Sequence, residues 1–413
     1  MTRLVPAILR ENRVFRRFWT GETISLFGDQ ISLIAIPLTA VLVLDANAKQ
    51  MGYLIAAELA PNLFFALHAG AWVDRRGRRR QTMIATDLVR AAVLATIPFA
   101  YAIDALTIHQ LYVVAFLAGT MTVFFHVSYS ALFVALVPRE RYVEANSLLF
   151  GSRAFSFVAG PSVGGVLVQV LKAPFAVLVD ATSYLVSALF LSSIRPEEPP
   201  TEKAEKGHVV AGVRYVATSP VMRSSLLATA TINLFNFVFH ALFILYAVRS
   251  LHVRPATLGI VLGAGAVGGL IGSFMTSRLG RSIGIGPTYI LGCILFPVPL
   301  VLVPLAGGPH WLVLAMLFLA EFGSGLGVMI LDISAGSIFA AIIPHRLRSR
   351  VSGAYMVVNN GIRPVGSLAG GLLGAAIGLR PTLWIAVVGA MVGFLWLLPS
   401  PIPQMRELPE PVE

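Results

Sequence analysis

Apolar residues in this 413-residue chain come in long unbroken runs, not at the spacing that marks a half-buried surface helix or strand. A helix needs about 20 apolar residues to cross a hydrocarbon layer about 30 Å thick. Twelve runs meet that length, at about residues 18–44, 51–73, 82–102, 110–137, 147–171, 174–194, 224–248, 256–276, 286–306, 311–343, 351–378 and 381–399. The pattern predicts an all-α membrane protein with twelve transmembrane helices. The tenth run is too long to cross straight, so it is expected to tilt, break or project into the cytoplasm. The first run is of spanning length and is expected to act as an uncleaved insertion signal.

The polar segment 195–223 separates six runs from six. Residues 1–194 are expected to form one six-helix bundle, 224–399 a second, and 400–413 a cytoplasmic tail. The segment opens Arg195-Pro196-Glu197-Glu198-Pro199-Pro200, which no helix interior tolerates. Val209, Val210, Val213 and Val216 then recur near helical spacing beside Arg214, which predicts a short amphipathic helix on the inner membrane surface, a solvated linker being the alternative. The halves echo each other. At an offset of 206, Pro138 matches Pro344, Gly119 matches Gly325, and Gly160, Gly164 and Gly165 match Gly366, Gly370 and Gly371. At an offset of 208, Thr23-Ile24-Ser25-Leu26-Phe27 resembles Thr231-Ile232-Asn233-Leu234-Phe235. Two pseudo-symmetric six-helix bundles are a common build of carriers, whose substrate sites lie near the midplane.

Composition agrees with this: 56% of the residues are hydrophobic and 12% charged, with a mean hydropathy of +0.80. A soluble domain carries about twice that charge. The net charge of +11 would suggest nucleic acid in a soluble protein, but its location argues otherwise. With both termini inside, 23 of the 31 Lys and Arg fall on inner segments, 5 on outer loops and 3 within spans. That is the positive-inside bias of a multi-pass protein of the cell membrane. The single cysteine, Cys293, excludes a disulfide framework or a cysteine metal site. The 8 histidines form no paired set with acids, and no Walker-type loop is present, so no catalytic or metal site and no cofactor is expected.

Between the second and third runs stands Gly70-Ala71-Trp72-Val73-Asp74-Arg75-Arg76-Gly77-Arg78-Arg79-Arg80. Gly70 would let the second helix approach a neighbour, Gly77 would permit a tight reversal, and Asp74 offers a carboxylate at the membrane surface. Ser277-Arg278-Leu279-Gly280-Arg281 is a degenerate second copy with serine in the acid's place. In the fifth run, Pro161 would bend the helix of Gly160-Pro161-Ser162-Val163-Gly164-Gly165, while its glycines offer a flat packing face. The Asp-Arg-x-Gly-Arg-Arg order closely resembles the signature loop of the major facilitator superfamily, and the Gly-Pro segment resembles the antiporter motif of its exporters. Asp87-Leu88-Val89-Arg90, Pro138 to Asn146 and Gly212-Val213-Arg214-Tyr215 look like the branch holding macrolide efflux proteins and the enterobactin exporter. The resemblance implies the major facilitator fold, with Gly70, Asp74, Arg75, Gly77, Arg78, Asp87 and Arg90 governing conformational switching. It also implies a seal against leak at Gly160, Pro161, Gly164 and Gly165.

An ionisable residue inside the bilayer is a functional candidate by default. Asp29 lies 11 residues into the first run, about 16 Å deep at about 1.5 Å per residue. Ser25, Asp29 and Ser32 share one helical face, and Asn233, Asn236 and His240 share another in the seventh run. These six are expected to line a substrate cavity, with Asp29 as the proton-coupling carboxylate. Glu321 and Arg363 also fall near mid-depth, and Arg363 is expected either to pair with Glu321 or Asp29 or to anchor an anionic substrate group. Asp87 and Arg90 read as a local pair tied to the Asp74 loop. Glu58 and Asp180 read as outer-face residues reaching water, and His126 and Asp332 as second-rank cavity residues.

The expected protein is a monomeric secondary transporter exporting an amphiphilic small molecule in exchange for protons. It would draw on the proton gradient and have no partner beyond substrate, protons and the lipid bilayer. A siderophore or lipid exporter of the same fold, or a proton-coupled importer, stays open.

Overall fold

The computed structural model describes residues 6–195 and 209–408, apart from the side chains at 66, 67, 71, 74, 209–211, 345 and 349. Asp74's carboxylate, the side chains of Val209 and Val210, and the proline-rich stretch from Pro196 on therefore lie outside the described residues.

The apolar runs become helical, because a helix satisfies its backbone N–H and C=O groups within its own segment, without water. A short α1 (Ala7–Glu11) precedes α2 (Arg13–Leu42), whose N-cap Asn12 accepts a 2.8 Å hydrogen bond from the Phe15 N–H. Then come α3 (Ala48–Arg76), α4 (Arg79–Ala102), α5 (Ile108–Leu136), α6 (Tyr142–Leu171) and α7 (Ala173–Ser192). After the polar segment follow α8 (Val209–Thr218), α9 (Pro220–Arg249), α10 (Pro255–Ile283) and α11 (Ile285–Leu295). The last four are α12 (Leu302–Leu305), α13 (His310–Ile342), α14 (Arg348–Ile377) and α15 (Leu379–Val392). The ninth run is divided where Pro297 and Pro299 remove backbone donors, leaving a 3₁₀ turn over Val298–Val301 between α11 and α12. The long tenth run does not break: α13 is 33 residues of continuous helix.

Among the described residues, ten helical segments are long and apolar enough to cross a membrane. The remaining two of the twelve, α3 and α14, are 29 and 30 residues long and carry Glu58 and Asn62, or Asn359, Asn360 and Arg363, along their length. Phe99, Leu189, Phe274 and Trp311 are all at least 67% exposed, the reverse of a soluble protein's surface.

The chain clusters into two compact units. Unit 1 is Met1–Ala46, Ala57–Ala204 and Pro255–Gly259, and unit 2 is Asn47–Ala56, Glu205–Arg254 and Ile260–Glu413. In unit 1, α2 packs on α6 and α7, and Phe15, Phe18, Met83, Phe125 and Leu132 share a core. In unit 2, α9 packs on α14 and α15 over a core that includes Met222, Ile232, Tyr289, Cys293 and Ile338. The helix α8 belongs to this second core. Val216 is buried in it, the Tyr215 hydroxyl donates to the Ile342 carbonyl at 2.6 Å, and burial raises the Tyr215 phenol's pKa. The buried side of α8 is thus covered by protein.

The sequence repeat is also a repeat of local structure. Pro138 and Pro344 each precede a 3₁₀ turn, Arg139–Arg141 and His345–Leu347, that leads into α6 or α14. Gly119 brings α5 against the backbone of Glu58, and Gly325 brings α13 against Gly265. Lys172, between α6 and α7, has φ 68° and ψ 151°, and 206 residues later Gly378 holds the same turn with φ 92° and ψ 162°. That conformation is essentially glycine's alone. Lys172→Gly is therefore expected to stabilise the protein by about 1 kcal/mol, read as a higher thermal midpoint of the detergent-solubilised protein. An unchanged or lower midpoint would show that the turn holds no strain.

Candidate functional site

Asp29 projects from α2 into a cavity of about 240 Å³ inside unit 1. Gln30 and Ser32 of the same helix, Glu58 and Asn62 of α3, and Asp180 and Tyr184 of α7 also line it. Leu33, Ile36 and Leu94 supply apolar wall. The Tyr184 hydroxyl donates to Asp29 Oδ1 at 2.5 Å, linking α2 to α7. Asp180 is 1% exposed, and its Oδ1 accepts from the Ser183 hydroxyl at 3.2 Å. Its Oδ2 and the Ser32 hydroxyl are both buried without a hydrogen-bond partner among the described residues.

Behind this chamber lies one buried cation. Arg90, on α4, meets Asp87 Oδ1 at 2.5 Å, with side chains 2% and 0% exposed. Its guanidinium stacks 4.0 Å from the Tyr184 ring and 4.6 Å from that of Phe125. The expected Asp87–Arg90 pair is formed, but Arg90 reaches Tyr184 and through it Asp29. Arg90 also feels the charge of Asp29, and Glu22, 5% exposed on α2, feels Asp29, Asp87 and Arg90. Glu22 also feels Arg153, so four carboxyl groups, Glu22, Asp29, Asp87 and Asp180, share two cations here.

The structure divides the remaining candidates. Ser32 lines the chamber with Asp29, whereas Ser25 is buried outside its lining. In unit 2, the Asn233 side-chain amide donates to the Thr229 carbonyl at 3.0 Å and to Asn359 Oδ1 at 2.7 Å. Asn236 Oδ1 is buried with no hydrogen-bond partner, and His240 stands beside the rings of Phe237 and Phe239 at 5.8 and 6.1 Å. Arg363 makes no ion pair with Glu321 among the described residues. Its guanidinium lies 5.3 Å from the Phe237 ring centre, and Asp332 is the acid whose charge it feels. Glu321 sits beside Gly265, with Oε1 buried and unpartnered. The reason is one of azimuth: two groups at equal depth on neighbouring helices need not face each other.

At the α3–α4 turn, Gly77 has φ 62°, as a tight reversal demands. Gly70 does not serve a close approach, since a Cβ there would meet no atom within 4 Å. Arg75 and Arg78 are exposed, Arg78 at the N-cap of α4, and Arg76 stacks on Trp72 at 4.8 Å. On α6, which contains Pro161, Gly160 packs on Gln30 and Gly164 on Ile31 of α2. A Cβ on Gly165 would lie 3.1 Å from Gly259 Cα, in the first turn of α10. The same crossing recurs in unit 2, where a Cβ on Gly371 would lie 2.8 Å from Gly52 Cα.

Tyr184, Glu22 and Asn359 were not legible as site residues. Glu58 and Asp180, read as outer-face residues, line the chamber, because depth along one helix does not report which neighbour covers it. Only Glu22 left a local signal, seven residues before Asp29 and therefore on the same helical face.

A family model for the Major Facilitator Superfamily matches residues 18–362 and again 226–412. The chain is 26% identical over 399 residues to the multidrug efflux pump Tap of Mycolicibacterium fortuitum, covering 92% of this chain and 93% of that one. It is 23% identical to the uncharacterized MFS-type transporter YfiS of Bacillus subtilis, over 97% of this chain and 96% of that one. Among solved structures, a bacterial homologue of the iron transporter ferroportin superposes with a TM-score of 0.77 at 15% identity, over 94% of this chain and 98% of that one. A bacterial homologue of the lysosomal transporter Spinster gives 0.73 at 14% identity, over 95% and 97%. The chain belongs to the Major Facilitator Superfamily, and it is a membrane transporter, not an enzyme.

Proposed function

We propose that this transporter exports an amphiphilic small molecule across the cell membrane by proton antiport with alternating access, Asp29 carrying the exchanged proton. The observation that supports this best is the chamber in unit 1, where Asp29, Glu58, Asp180 and Tyr184 share about 240 Å³ with an apolar wall. Such a lining suits a ligand with one polar and one apolar end. The efflux role named for Tap supports the outward direction. The Lys and Arg bias supports cytoplasmic termini. The proton gradient supplies the energy, without an organic cofactor or metal.

The test uses everted membrane vesicles, in which the cytoplasmic face is outside and proton pumping acidifies the lumen. A fluorescent amphiphile is expected to accumulate in vesicles holding the protein, and a protonophore to release it. Accumulation that ignores the protonophore would reject proton coupling. Loss of a preloaded probe on energisation would assign the opposite direction.

A further inference from the structure

The last turns of α10 carry the degenerate second copy of the Asp74–Arg80 motif, without its acid, since Ser277 stands in the place of Asp74. At this end of unit 2 opens a cavity of about 760 Å³, lined by Ser277, Arg281, Ile283, Ile333 and Arg406 with Glu407. Arg406 is held there by the backbone: the Ile285 N–H donates to the Arg406 carbonyl at 3.2 Å, and the Gly286 N–H to the Met405 carbonyl at 2.8 Å. Neither the Arg281 nor the Arg406 guanidinium makes a hydrogen bond or ion pair among the described residues. Two guanidinium forks and one carboxylate therefore leave an excess positive charge in the cavity lining, and such forks pair well with phosphate oxygens.

The apolar surroundings narrow the ligand. Leu270 and Phe274, 42% and 76% exposed, lie on the helical face that continues to Ser277 and Arg281. Ile283 and Ile333, 43% and 37% exposed, flank the cavity itself. An exposed hydrocarbon track thus runs into a doubly cationic cavity at the end of a membrane helix. We propose that this cavity binds the phosphodiester headgroup of an anionic phospholipid, with its acyl chains along Leu270 and Phe274. A basic cavity between membrane helices is the kind of place where anionic headgroups settle. The site lies in unit 2, apart from the Asp29 chamber, and does not depend on the transport reading.

The test is native mass spectrometry of the full-length protein, purified in detergent and equilibrated with equal amounts of phosphatidylglycerol and phosphatidylcholine. The wild type is expected to retain phosphatidylglycerol in preference. Arg281→Gln and Arg406→Gln are each expected to lower its retention by about fivefold, with phosphatidylcholine unchanged as the sign of an intact fold. Arg278→Gln, which removes the same charge from the same turn but not from the cavity lining, is expected to have no effect. A wild type without lipid preference overturns the proposal, whatever becomes of the variants. So does an equal loss in Arg278→Gln, which would mean diffuse attraction. Binding of inorganic phosphate with displacement of phosphatidylglycerol would assign the site to a free anion and also overturn it.

Discussion

Asp29→Asn is expected to collapse the gradient that wild-type vesicles build to near unity, while equilibrium binding of the probe persists. Moving one charge down 100 mV releases about 2.3 kcal/mol, and one pH unit adds about 1.4 kcal/mol. Together these sustain a gradient of several hundred-fold. An amide at position 29 cannot carry a proton across. Its oxygen can still accept from Tyr184, now 2.5 Å from Asp29, so the α2–α7 link and the chamber walls should survive. The measurement is the ratio of lumenal to external probe at steady state, with binding measured separately in detergent. Glu58→Gln and Asp180→Asn are the necessary companions, because both carboxyls line the same chamber. A full gradient in Asp29→Asn together with a collapsed one in Asp180→Asn would move the coupling role to α7.

The twelve spans were legible because bilayer thickness writes helix length into the sequence as uninterrupted apolar runs. Their ends came within a few residues wherever a proline, a capping side chain or an arginine marks the interface, as at Pro220 and Pro255. The repeat was legible for a similar reason: Gly164 and Gly370 recur because α6 on α2 and α14 on α9 both need a side chain removed. The chamber's membership was not. A membrane helix is apolar on nearly every side, so the 3.6-residue signal that would tell inward from outward is faint. Asp29 could be placed by depth, but Tyr184 lies 155 residues away and joins it only through the packing of α7 on α2. The same blindness to azimuth left Arg363 open between an ion pair with Glu321 or Asp29 and an anchor for an anionic substrate group, when the ring of Phe237 is what it meets.

Arg90→Met should be the most damaging single change to unit 1. Arg90 is 2% exposed and meets a carboxylate that is 0% exposed. Removing one partner of such a pair leaves an uncompensated buried charge and costs about 3–5 kcal/mol. Methionine fills much of the volume, yet it forfeits the contacts at 4.0 and 4.6 Å with Tyr184 and Phe125. A desolvated cation over an aromatic face adds about 2 kcal/mol. The detergent-solubilised variant is expected to unfold at a much lower temperature, and adding Asp87→Asn should restore a good part of the loss by removing the stranded carboxylate. That rescue separates a charge effect from a packing effect: a double variant no more stable than the single one would place the cost in the aromatic stack. Transport should fall further than the folded fraction does. Tyr184 is braced on one side by Arg90 and donates on the other to Asp29, so a loosened ring no longer presents its hydroxyl to the carboxylate. Arg90→Met protein that is folded yet transports at the wild-type rate would mean that Asp29 works without Tyr184.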